Sequence, residues 1–132
     1  MNDKTTSRPH IIAVDFDGTL CENRWPEIGE PYPGILAFCI ATRALGAKLI
    51  LYTCRTGKEL HAAVEWCRKH HLEFDAVNEN LPETIAAFGG DTRKIVADQY
   101  IDDKAADLSA VDRIGTRILQ NFVKDDGGAD NG

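Results

Sequence analysis

Four short apolar runs, separated by segments of helical character and each closed by polar residues, constrain this chain more than any other feature. "HIIAVDF" (10–16) is continuous in apolar residues rather than alternating, as in a strand buried on both faces. "AKLILYT" (47–53) is a second such run and "FDAV" (74–77) a shorter third, while "KIVADQYIDD" (94–103) holds a fourth near Ala97 to Ile101. Between them, "PGILAFCIATRALG" reads as a helix with Pro33 in its first turn and Gly46 as its stop. Thr56 and Glu59 match a capping box opening a second helix over "KELHAAVEWCRKHH", where Leu60, Val64 and Cys67 share one face. "PETIAAF" is a short third helix, begun by Pro82 and stopped by Gly89-Gly90, and the stretch up to about Val123 admits helix or strand.

Alternating strands and helices imply an α/β fold. The expected form is a Rossmann-like three-layer sandwich with a central parallel sheet and helices on both faces. The 132 residues suit one domain with one core, placed at 1–123, with 124–132 ("KDDGGADNG") as a flexible tail. Fifteen Lys and Arg against 21 Asp and Glu leave a net charge of −6, which argues against non-specific affinity for nucleic acid or membranes. No apolar run is long enough to span a bilayer, and the first ten residues lack the hydrophobic segment of a secretion signal. Cys21, Cys39, Cys54 and Cys67 form no C-x-x-C pair and read as small buried residues of a reducing compartment, so a cytoplasmic protein is expected.

Parallel sheets of this kind place ligand chemistry beyond the carboxyl ends of their strands. Here those ends carry Asp15-Phe16-Asp17, Thr53-Cys54-Arg55, Asn78-Glu79-Asn80 and Asp102-Asp103. If the first and fourth strands are neighbours, four carboxylates converge, and they then need a cation or shared protons. All-oxygen ligation with few protein groups suits Mg²⁺, which keeps waters and takes phosphate oxygens as well. Gly18 permits a turn that brings Asp17 back, with the Thr19 hydroxyl in reach of nearby backbone. Thr53 and Lys94 supply a hydroxyl and a cation for a phosphoryl group. A carboxylate attacking phosphorus gives an aspartyl-phosphate, and a second acid two residues on could protonate the leaving oxygen and later activate water.

"DFDGTL", Thr53 in "LILYT", Lys94 and the acidic pair in "YIDD" together resemble the haloacid dehalogenase-like (HAD) phosphohydrolase superfamily, over residues 11 to 107. The resemblance implies that Asp15 is the nucleophile and Asp17 the general acid/base, with Thr53 and Lys94 holding the phosphoryl group. It implies Mg²⁺ bound by Asp15, the backbone carbonyl of Asp17, and Asp102 or Asp103. Ile101 stands where the commoner fourth motif has glycine, which leaves open which acid of the pair meets the metal; Asp107 would be a supporting acid under either spacing. The family's inserted cap domains have no room here: residues 21–33 suffice only for a short flap, and Glu79 to Arg93 for one short helix. The chain therefore resembles the capless branch, with an open site that in some members is roofed by a partner subunit.

Several residues near these strand ends have two readings. Arg55 either binds a substrate phosphate beyond the scissile one or pairs with a carboxylate. Asn78, Glu79 and Asn80 are placed to meet substrate and are also ordinary loop composition. Trp25, in the proline-rich "ENRWPEIGEPYPG", is either a loop anchor or a stacking surface for a base or sugar. Asp98 precedes the fourth strand's end and reads as a solvent-facing or capping residue.

The expected function is a Mg²⁺-dependent phosphatase acting on a phosphorylated small molecule or macromolecule, as a monomer or homo-oligomer. The alternatives are a phosphotransferase, a phosphorylatable receiver-like domain, and a regulatory binding domain without turnover. Receivers carry the acidic pair on the first strand and the acceptor aspartate on a central one. The order along this chain is the reverse.

Overall fold

The structure, a computed structural model, describes residues 8–90, 94–103 and 108–131, with side-chain surroundings through residue 121. Its elements are β1 (Ile11–Val14), a hairpin of β2 (Cys21–Arg24) and β3 (Glu27–Pro31), α1 (Pro33–Ala44), β4 (Lys48–Leu51), α2 (Gly57–Lys69), β5 (Ala76–Val77), α3 (Pro82–Phe88), β6 (Gln99–Ile101) and α4 (Leu108–Asn131). The central sheet has the order β5-β4-β1-β6 and is parallel throughout. Val14 stands opposite both Leu51 and Ile101, so β4, β1 and β6 end at one level. The pairing runs one rung further, with the Asp15 N–H on the Ile101 carbonyl and the Tyr52 N–H on the Val14 carbonyl.

The continuous apolar strands bury both faces. Ile12 and Val14 of β1 and Leu49 and Leu51 of β4 point to one side, where Ile35, Leu36 and Cys39 of α1, Ala63 and Cys67 of α2, and Val111 of α4 meet them. Ile11, Ala13 and Ile50 point to the other, against Ala76, Leu81 and the segment that carries Ile95 and Ala97. This second cover is thinner, and α3 has no fully buried residue. α1 and α4 pack backbone to backbone: a β-carbon on Gly115 would land on the Gly34 carbonyl. That contact explains why this helix carries a glycine in its interior.

The β2–β3 hairpin forms the expected flap, pairing Cys21 with Pro31 and Arg24 with Glu27. It is all that lies between β1 and α1, and α3 is the one described element between β5 and β6, so neither place holds a cap. Three local expectations change. Thr56 precedes α2 in extended conformation, but its side chain makes no cap bond, because this helix start is exposed and water can meet its N–H groups. Helix α4 continues to Asn131, through most of the stretch expected to be a tail. Cys21, Cys39 and Cys67 are buried, whereas Cys54 is exposed beyond the end of β4. Among the described residues no helix is long and apolar enough to cross a membrane.

Candidate active site

Asp15 is the first residue past β1, and its Oδ1 accepts the Phe16 N–H at 2.7 Å. Phe16 is fully buried and sets its ring edge-on to Trp66, which fixes the backbone between the two aspartates. Gly18, at φ 83°, then reverses the chain, with Thr19 and Leu20 donating to the Phe16 carbonyl. A β-carbon on Gly18 would sit 3.3 Å from a carboxylate oxygen of Asp103, so the turn and the end of β6 are in contact. Thr19 is fully buried beneath the turn, and its hydroxyl has no hydrogen-bond partner among the described residues, contrary to the expected backbone bond.

The carboxylates do converge. The Asp15 carboxyl is pushed up to about 6, first by burial and then by the charges of Asp103, Asp17 and Asp102, against the lowering effect of the Phe16 N–H. The members of the acidic pair differ in setting. Asp102 accepts the Tyr52 hydroxyl at 2.9 Å, and Asp103 lines the cavity.

Arg55 is 1% exposed and grips Asp17 bidentately, Nε to Oδ2 and Nη2 to Oδ1, both at 2.8 Å. Its remaining N–H groups reach the carbonyls of Pro26 at 3.1 Å, Glu27 at 2.8 Å and Glu59 at 3.5 Å. The guanidinium also lies over the rings of Phe16 and Trp25, 5.1 and 5.0 Å from their centroids. All five donors are therefore committed within the protein. The reading of Arg55 as a ligand for a second phosphate gives way to the other one: it pairs with a carboxylate, and that carboxylate is Asp17.

Thr53 lines the cavity, and its hydroxyl accepts the Arg55 N–H at 3.1 Å. Asn78, at φ 56°, turns its amide oxygen to the Thr53 N–H at 2.8 Å. It holds the end of β4 in place and does not line the cavity, which corrects its assignment to substrate. Asn80 is buried and braces the next segment, donating to the Lys94 carbonyl and accepting the Val96 N–H. Lys94 is exposed and does not line the cavity. Asp98 caps the start of β1, accepting the Ile11 N–H and pairing with Arg8. Asp107 lies outside the described residues.

The cavity at the strand ends measures about 590 Å³ and is lined by Asp15, Asp17, Thr53 and Asp103 with Asn23, Trp25, Cys54 and Arg55. From the sequence, Asn23 and Tyr52 carry no site assignment, and Cys54 reads as a small buried residue rather than a site residue. Cys54 and Tyr52 flank Thr53 at a strand end, which was the available signal; Asn23 had none beyond its place in the flap. No group of three or more His, Cys, Asp or Glu side chains among the described residues is arranged to hold a metal ion.

Fold and site together define an α/β protein of Rossmann-like build with an acid-rich cleft at the carboxyl ends of its parallel sheet. Its structure is similar to that of a conserved protein from Bacteroides thetaiotaomicron, with a TM-score of 0.69 and 37% identity over 83% of this chain and 92% of that one. At that identity and coverage, the chain belongs to the same family as that conserved protein. No protein-family model and no curated protein matches it.

Proposed function

We propose that this protein is a Mg²⁺-dependent phosphomonoesterase of haloacid dehalogenase type that works through phosphorylation of Asp15. The observation that carries this reading is the convergence of Asp15 with Asp103, Asp17 and Asp102 beside Thr53 at one end of the sheet. Asp15 is the only one of these carboxylates directly after the central strand β1, and the Phe16 N–H fixes one of its oxygens. The other oxygen is then the nucleophile toward phosphorus. Thr53 supplies a hydroxyl at the same opening.

The donor set fits the ion. Asp17 is held by Arg55, and Asp102 gives one oxygen to Tyr52 and does not line the cavity, so Asp15 and Asp103, with the backbone carbonyl of Asp17, are the oxygens that would hold it. Two carboxylates suffice for Mg²⁺, which takes its other ligands from water and phosphate, so a cluster of three side chains is not required. When bound, the ion would neutralise the phosphoryl oxygens and the mutual repulsion of the acids. Asp17 keeps a lone pair on each oxygen beyond its bonds to Arg55. This setting suits the hydrolytic half of the reaction, in which a carboxylate takes a proton from water.

The test is turnover of a generic aryl phosphate by purified protein with Mg²⁺. Asp15→Asn is expected to reduce it on the order of a thousand-fold or more. A phosphoryl-aspartate that forms and persists without turnover would instead mark a receiver-like domain. Partition of the phosphoryl group to an added alcohol rather than water would mark a phosphotransferase.

A further inference from the structure

Past the reacting centre, the cavity is walled by Asn23, Trp25, Cys54 and Arg55. Arg55 is the one cation among these lining residues, and it has no N–H left for a ligand, since two go to Asp17 and three to carbonyls. Asn23 and Cys54 are neutral. The flap hairpin above them carries Glu22, Glu27 and Glu30 against Arg24 alone, and Arg24 is paired with Glu22 at 3.1 Å. A leaving group with a second phosphate would find no free cation on this wall, only neutral groups such as the Asn23 amide, beside a flap of net negative charge.

Trp25 differs from the other apolar residues of the flap. Ile28 packs against the core and anchors the hairpin, whereas Trp25 is 56% exposed. It is not mobile for that reason, because its ring is backed by the buried guanidinium of Arg55, 5.0 Å from the ring centroid. An aromatic surface set in advance by a buried cation needs little further ordering when a planar group stacks on it.

We infer that the substrate is a monophosphate whose leaving group is uncharged and carries an aromatic face, which stacks on Trp25 while the phosphate lies at Asp15. The inference rests on the phosphatase reading and narrows it. Nucleosides and simple aryl-alkyl alcohols share this chemistry, and sugar bisphosphates lack it. Stacking of a base on an aromatic side chain corresponds to roughly ten-fold in affinity.

The experiment compares esters with matched leaving oxygens. Uridine 5′-monophosphate is set against ribose 5-phosphate, benzyl phosphate against ethyl phosphate, and uridine 5′-monophosphate against its 3′,5′-bisphosphate. For the wild type, kcat/KM should favour the aromatic member of the first two pairs by about ten-fold, mostly through KM, and the monophosphate in the third. Preference in the first pair alone identifies a nucleoside, and in both pairs any aryl group. Trp25→Ala should bring the ratio within each aromatic pair close to one, while Trp25→Phe, which keeps a ring, should retain most of it. Equal rates within both aromatic pairs, or a preference that survives Trp25→Ala, overturns the inference. A binding arm separates this failure from failure of the phosphatase reading. In the Asp15→Asn protein, uridine 5′-monophosphate should quench tryptophan fluorescence, ribose 5-phosphate should not, and the signal should vanish in the Asp15→Asn/Trp25→Ala protein. Quenching of this kind without turnover by the wild type refutes the phosphatase and leaves the aromatic subsite standing. Turnover with neither quenching nor preference refutes the subsite alone.

Discussion

Arg55 is the residue whose loss should be felt most, and the cost can be worked from its contacts. Arg55→Met keeps much of the buried alkyl volume and removes the guanidinium, leaving Asp17 without its bidentate partner. Stripping one partner from a fully buried ion pair costs about 3–5 kcal/mol. The Asp17 side chain is 18% exposed, so water can reach it, and the lower end, about 3 kcal/mol, applies. The carbonyls of Pro26 and Glu27 also lose donors, but both residues are exposed and rehydrate, adding about 0.5 kcal/mol. The total of about 3–4 kcal/mol is a large part of the stability of a domain this size. With a urea slope of about 2 kcal/mol per molar, the unfolding midpoint should fall by about 1.5–2 M. Arg55→Lys keeps the charge but not the fork and should lose about half as much. Combining Arg55→Met with Asp17→Asn should cost at least about 2 kcal/mol less than the two changes summed, since they share one interaction. A midpoint shift below about 0.5 M at unchanged slope, or a strictly additive double variant, would refute the assignment of Arg55 as the clamp.

Two further outcomes follow from packing and charge. Gly115→Ala drives a β-carbon onto the Gly34 carbonyl, rigid backbone that cannot turn aside, so calorimetry should show the melting temperature falling by roughly 5–10 °C, although alanine is the better helix former. The Asp98 carboxyl is held well below the usual carboxylate range by its bonds to Arg8 and to the Ile11 N–H. Its folded pKa is thus depressed, so its contribution is present above the unfolded value of about 4 and fades as pH falls below it; the stability gap between wild type and Asp98→Asn in urea titrations should be full at pH 7 and shrink progressively below about pH 4.

The strands were legible because burial on both faces leaves a continuous apolar run, and the register then delivers Asp15, Tyr52 and Asp102 to one level without further information. Pairing of β1 with β6 was only a condition in the sequence. It became a fact through the Asp15 N–H on Ile101 and the contact of Asp103 with the Gly18 turn. What stayed hidden was the commitment of polar side chains. Asn78, Asn80 and Arg55 have the composition of a binding loop, and a sequence cannot show that the Asn78 oxygen, the Asn80 amide and the Arg55 guanidinium are engaged by Thr53, Lys94, Val96, Asp17 and the flap. The last helix was ambiguous for a related reason: Gly115 weakens its helical pattern, and the need for that glycine lies in α1, some 80 residues earlier in the chain.

The position of Arg55 also changes how the two aspartates can be probed. One guanidinium holds Asp17, the Pro26 and Glu27 carbonyls and the Trp25 ring, so the proposed proton carrier and the flap are parts of one rigid unit. Replacing Asp17 by Asn keeps one acceptor oxygen but turns an amide N–H toward an arginine N–H, donor against donor. Asp17→Asn therefore disturbs the flap and Trp25 together with the proton chemistry, and a loss of activity in it cannot be assigned to either. Among the described residues Asp15 makes no such link: its fixed oxygen accepts the local Phe16 N–H, which the amide oxygen of an asparagine can still accept. Asp15→Asn removes the proposed nucleophile and leaves the clamp intact. It should unfold at nearly the wild-type urea midpoint, or slightly above it because one half-buried repulsive charge is gone, whereas Asp17→Asn should unfold earlier. Equal midpoints for Asp17→Asn and wild type would mean that the clamp does not bind the flap to the acid.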